Sequence, residues 1–257
     1  MMRNQLQADL YRQRHTHGLI YTSLIMIVLA ILVTYYRIVG GVLIAAPMSI
    51  RQHLYGTHWT VLDGIRSGFM FSTNLLYVLI SVFVIVIGYE FSYGVYKNSL
   101  ITGISRLQFI LAKYCMILID LLMILFLYNA SIMLTGLALG RPLGESWSQL
   151  LLETTGILLT ASFFMSLIFS IAILVLIVTR SVISGAVLIV VWPLLIAFAQ
   201  RNTHWDWLKY GDFFTTSSDI AFGVTTGAKI LPYFCASLGL LLLTTIASTL
   251  LIRKQEL

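Results

Sequence analysis

Asp120 is the sharpest chemical anomaly in this sequence, a carboxylate about two helical turns inside the apolar run 110–138. An acid in that setting is costly unless it is paired or hydrated. The favoured reading is a structural pair with Lys113, two turns back on the same helix face, or with Arg180 or the neighbours of Glu90 at the same end. The alternative is a proton or cation relay, for which one isolated acid lacks a chain of partners. Two other places look chemical and fail on spacing. "GVTTGAK" at 223–229 has three residues between its glycines and Ile230 after its lysine, whereas a phosphate-binding loop needs four residues and then Ser or Thr. His53, His58 and Asp63 share one loop but are too few and too widely spaced for an ordinary metal site. Nothing resembles a catalytic triad or a pair of carboxylates in a dry pocket, so no catalytic residue, no metal and no cofactor held by this chain are expected.

What must position these residues follows from composition. The 257 residues are 59% hydrophobic and 10% charged, with a mean hydropathy of +0.92. A soluble domain carries about 25% charge, so lipid is the solvent for most of this surface. Runs long enough to cross the hydrocarbon lie near 19–36, 69–88, 110–138, 151–178, 182–199 and 231–252. They do not alternate as barrel strands do, so the fold expected is an all-α membrane protein with six transmembrane helices in one domain over 1–257. The first run exceeds the apolar core of a secretory signal and follows a charged lead, which reads as a retained span. Cys115 and Cys235 read as free thiols within spans.

Loop charge orients the spans. With the N-terminus inside, the short inner segments hold nine Lys or Arg: Arg3, Arg12, Arg14, Lys97, Arg106, Lys113, Arg180, Arg253 and Lys254. The long outer ones hold seven. Density near span ends decides, so both termini are expected in the cytoplasm, and the basic balance belongs to that face, suiting anionic lipid rather than nucleic acid. The aromatic residues Tyr35, Tyr36, Trp147, Trp192, Trp205 and Trp207 fall at span ends or in outer loops and read mostly as interface anchors.

Between the spans, Met2, Leu6 and Leu10 beside Arg3, Arg12 and Arg14 predict an interfacial helix within 1–18. The apolar 38–47 is too short to span and reads as an outer interfacial or re-entrant piece. The outer loop 200–230 is expected to form short amphipathic pieces lying on the membrane. Ser162, Ser166 and Ser170, and again Ser181 and Gly185, recur every four residues and predict close helix packing, within the bundle or against another subunit. Pro193 should kink the fifth span or mark its outer end.

The longest polar interruption lies between spans two and three. In 90–106, Tyr93, Tyr96 or Lys97, Leu100, Ile101 and Ile104 recur at helical steps, and Gly94 and Gly103 bracket a short amphipathic helix suited to lipid or to a groove on a cytoplasmic partner. The order Glu90, Gly94, Lys97–Asn98, Arg106, Phe109 and Lys113 in "EFSYGVYKNSLITGISRLQFILAK" resembles the segment between the second and third spans of type-2 ABC exporter permeases, six-span subunits that work with a separate ATPase. The resemblance is dense over this segment; beyond it, it rests on span count, the N-terminal helix and the long loop before the last span. It implies that 89–106 is the coupling segment that fits a cleft on the ATPase, with Tyr93, Tyr96, Lys97, Leu100 and Ile101 as contacts. Glu90, Arg106 and Lys113 would hold its frame through inner-face ion pairs, with Gly94 part of the same frame.

It further implies two ATPase copies carrying ATP and magnesium, a second permease, identical or homologous, and a bacterial plasma membrane. Small permeases of this family look most like those serving bacteriocin or lantibiotic immunity and amphipathic-peptide export. The rival expectation is a self-sufficient ion-coupled carrier using Asp120.

Overall fold

The computed structural model describes residues 2–40, 54, 58–101, 103–203, 205–222, 225 and 227–255. Most of the apolar piece expected at 38–47, and His53, lie outside them. Among the described residues the chain is helical without strands, and six helices are long and apolar enough to cross a membrane: His17–Tyr35, Thr73–Ser92, Arg106–Ala138, Trp147–Thr179, Val182–Asn202 and Leu231–Arg253. This is the architecture of an all-α multi-pass membrane protein, in which each span closes its own backbone hydrogen bonds.

In chain order the helices are α1 (Met2–Arg14), α2 (His17–Tyr35), α3 (Val61–Met70), α4 (Ser72–Phe83), α5 (Tyr89–Ser92), α6 (Tyr96–Ile101), α7 (Arg106–Ala138), α8 (Trp147–Thr179), α9 (Val182–Asn202), α10 (Phe213–Ala221) and α11 (Leu231–Gln255). A π turn, Val84–Gly88, welds α4 to α5. The second span therefore runs to Ser92, past the end expected at 88, and Glu90 lies within it rather than in the polar turn. Helices α7 and α8 have 33 residues each, more than the roughly 20 that a bilayer core requires, so their ends reach beyond the hydrocarbon.

Helices α7 and α8 share the centre, with α8 the partner of the later helices. Helix α8 packs against α7, α9, α10 and α11, while α2 lies on α7 and α4. The small-residue face resolves as packing inside the bundle: Ser162, Ser166 and Ser170 are buried, with Ser166 Oγ 2.7 Å from Tyr114 Oη and Ser170 Oγ accepting from Thr244 Oγ1 at 3.2 Å. Helix α9 continues past Pro193 to Asn202, so the proline does not mark its end.

Two segments expected as outer loops differ from expectation. Inside 37–68, read as a loop, α3 is buried along nearly its whole length. Its first turn is closed by a capping box in which Asp63 accepts from the Thr60 amide at 2.9 Å and hydroxyl at 2.7 Å, so the carboxylate is occupied as a cap. Within 200–230, α10 buries Phe213, Phe214 and Ser217 instead of lying on the membrane, because its aromatic face packs on α8. Trp192, read as an anchor, stacks on Phe213 at 6.0 Å and donates from Nε1 to Gly211 O at 3.1 Å, tying α9 to this layer.

Gly185 lets α9 come close to α4 and α8. A Cβ there would lie 2.7 Å from Phe83 Cζ and 3.0 Å from the backbone oxygen of Ala172, which cannot yield. Gly185→Ala is therefore expected to destabilise the protein by about 1–3 kcal/mol, read as a lower melting temperature in detergent. Gly239→Ala, at a site with nothing within 4 Å, should leave it unchanged.

Candidate functional site: a buried charge cluster under the polar turn

Helix α1 forms within the segment 1–18 where an interfacial helix was expected, and it packs on α7. Its buried face is the polar row Gln5, Asp9 and Gln13, spaced by one helical turn, while Leu10 and Tyr11 are exposed. The cause lies in what it meets. The end of the bundle presents Glu90, Lys113 and Asp120, all buried, and apolar side chains from α1 would leave them without partners.

Lys113 stands at the centre, fully buried on the first turns of α7. Its ammonium donates to Asp9 Oδ1 at 2.7 Å and Oδ2 at 2.9 Å and to Glu90 Oε1 at 2.7 Å, with the Phe109 ring 5.3 Å away. Arg12 closes the circuit: Nη1 meets Glu90 Oε1 at 2.5 Å and Nη2 lies 3.3 Å from Asp9 Oδ1. The same guanidinium donates to Val86 O at 2.9 Å, inside the π turn, whose wide winding re-aims its carbonyls. Two acids and two bases thus alternate around a ring contributed by α1, α5 and α7.

Asp120, one level deeper, accepts from Gln13 Nε2 at 2.6 Å. The pair expected with Lys113 is replaced, because the three ammonium donors go to Asp9 and Glu90. Burial pushes the Asp9 carboxyl above its ordinary range; Lys113 and Arg12 pull it down and Glu90 pushes it up, and burial prevails.

The polar turn is built on this base. Gly94 and Gly103, with φ of +68° and +92°, take the left-handed conformation that glycine tolerates, and they flank α6. The expected contact residues divide. Tyr93, Lys97 and Ile101 are exposed, whereas Tyr96 and Leu100 pack inward, Tyr96 stacked on Phe91 at 4.4 Å. Arg106 opens α7, whose first turn is capped by Ser105 accepting from the Gln108 amide at 3.2 Å. Asp9, Arg12 and Gln13 escaped sequence reading. The signal was the spacing of Gln5, Asp9 and Gln13 on one face, overshadowed by the apolar residues between them.

No family model, curated protein or solved structure matches this chain.

The cluster makes an ordered pair of expectations. Lys113→Met strands two buried carboxylates and should destabilise by about 3–5 kcal/mol. Asp9→Asn should cost clearly less, since Lys113 keeps Glu90 and one buried charge disappears. A carboxyl raised in the folded state contributes stability that is full below the ordinary carboxylate range and is lost as pH rises through the raised value. Melting curves recorded across pH should show that loss in the wild type and not in Asp9→Asn.

Proposed function

We propose that this chain is the permease subunit of an ATP-driven exporter of the type-2 ABC class, working with two copies of a separate ATPase and a second permease, identical or homologous. The observation that carries the reading is that the polar turn presents Tyr93, and α6 presents Lys97 and Ile101, outward while the base of the turn is fastened by Glu90 and Lys113 to α1 and the spans. A bare face on a firmly rooted helix suits a lever. An exposed isoleucine and tyrosine beside a lysine also suit a groove on a protein partner better than bulk water.

In this reading the turn 89–106 and both termini face the cytoplasm of a bacterial cell, where ATP and magnesium are bound by the partner. Closure of the two ATPases presses on α6, and the buried ring passes the displacement to α1, to the second span through the π turn, and to α7. A hydrophobic or amphipathic molecule, whether peptide, lipid or drug, is then expelled outward; immunity to bacteriocin-type peptides is one such task. Asp120, the acid that an ion-coupled carrier would use, serves here to seat Gln13 of α1.

The division of α6 makes the test specific. Lys97→Glu combined with Ile101→Asp changes only exposed residues and should abolish copurification of the proposed partner ATPase, leaving insertion and melting temperature unchanged. Leu100→Asp, which faces the core, should instead destabilise the protein. Undiminished copurification with the Lys97 and Ile101 changes would refute the coupling role.

A further inference from the structure

At the end of the bundle opposite the ion ring, α9 gives way to a 3-10 turn, Asp206–Gly211, and then to α10. Between these elements and the first turn of α11 lies a cleft of about 360 Å³, within the range of small-ligand sites. Aromatic contacts hold its walls: Trp192 of α9 stacks on Phe213, and Tyr210 of the turn lies 5.2 Å from Tyr233 of α11. The polar groups that line it include Lys209, Asp212, Thr216 and Asp219.

These groups are not spent on one another. Among the described residues no cation pairs with Asp219, and burial together with the neighbouring Asp212 carboxylate pushes its carboxyl above the ordinary range. Asp212 uses Oδ1 to cap α10, accepting from the Thr215 amide at 3.1 Å, which leaves Oδ2 for the cleft. Lys209 shares the cleft, yet its ammonium lies 5.3 Å from the centre of the Tyr210 ring and forms no ion pair with either acid. Thr216 is 6% exposed, and its hydroxyl meets Lys209 O only at 3.5 Å, beyond an ordinary O–H···O bond, so a buried donor is left over as well. The cleft thus holds two carboxylates without a cation and an ammonium without an anion. On its membrane side, Leu194, one turn deeper than Ala197 on the same face of α9, is apolar and exposed. Trp205 and Trp207, exposed and stacked at 5.8 Å just past the end of that span, suit the level of a bilayer interface.

We infer that this cleft binds the headgroup of one phosphatidylethanolamine, its primary ammonium on Asp219 and Asp212, its phosphate on Lys209 and the Thr216 hydroxyl, and an acyl chain over Leu194. A zwitterion answers both signs at once, where a simple cation leaves Lys209 unmatched and a simple anion leaves the acids unmatched. The ammonium has to carry N–H groups, because a carboxylate is an acceptor and a quaternary ammonium offers it no donor. Depth agrees with this choice, since the cleft opens where α9 and α11 leave the hydrocarbon. Neither an ATPase nor transport enters the inference, so it stands or falls separately from the proposed function.

The test reconstitutes the full chain in vesicles of equal parts phosphatidylethanolamine, phosphatidylcholine and phosphatidylglycerol, solubilises it gently, and counts retained phospholipids by mass spectrometry. The wild type should retain phosphatidylethanolamine about tenfold over either of the others. Asp219→Asn should bring that ratio down to that of the vesicle without shifting the melting temperature, and Lys209→Gln should lower it as well. Replacing phosphatidylethanolamine by its N-methylated and N,N-dimethylated forms should reduce retention stepwise, a readout on the unaltered protein that keeps the inference testable if Asp219→Asn does not fold. Soluble phosphoethanolamine should fail to displace the lipid. Retention at the vesicle ratio, enrichment that survives Asp219→Asn in a folded protein, retention indifferent to N-methylation, or full displacement by phosphoethanolamine would each overturn the assignment.

Discussion

A lysine ammonium with no exposed surface cannot stay charged unless acids come to it, and that constraint organises one whole end of this molecule. Glu90 reaches Lys113 because the second span extends past its expected end through a π turn, and Asp9 reaches it because α1 lays its polar face on α7. Arg12 then balances the second carboxylate and ties the turn itself through Val86 O. None of these contacts is local in sequence, so the ring ties together three segments that also meet through Gln13–Asp120 and the Phe91 and Phe109 rings.

The remaining bundle follows simpler rules. Small residues on α8 and Gly185 on α9 let helices approach, and hydroxyls such as Ser166 and Ser170 find partners on α7 and α11. With no hydrophobic drive between helices in lipid, such packing supplies the cohesion. The other end is closed by short buried helices, α3 and α10, which turn apparent loops into packed layers.

Much of the architecture was legible in the sequence because span length and hydropathy are dictated by bilayer thickness. All six apolar runs became helices with ends displaced by a few residues. The glycines bracketing α6 were legible as well, since a left-handed turn favours that residue. What escaped was everything set by partners. Asp120 was matched to Lys113 by helical spacing, yet three-dimensional proximity to Asp9 and Glu90 took the lysine and left Asp120 to Gln13. For the N-terminal helix the leucines marked one face, while the polar face of Gln5, Asp9 and Gln13 that meets the bundle went unread. Asp63, weighed with His53 and His58 as a loop residue, instead closes a capping box with Thr60. Tyr96 and Leu100 were grouped with exposed neighbours because periodicity gives a face but not which side meets the bundle.

The central claim is that α1, the polar turn and α7 act as one body because their charges interact strongly. A double-mutant cycle on Arg12→Gln and Glu90→Gln, measured by denaturation in detergent, tests it most directly. A favourable coupling energy of about 2 kcal/mol or more is expected between the two positions. Additive effects, with coupling within about 0.5 kcal/mol of zero, would mean that the ring does not fasten the turn to α1.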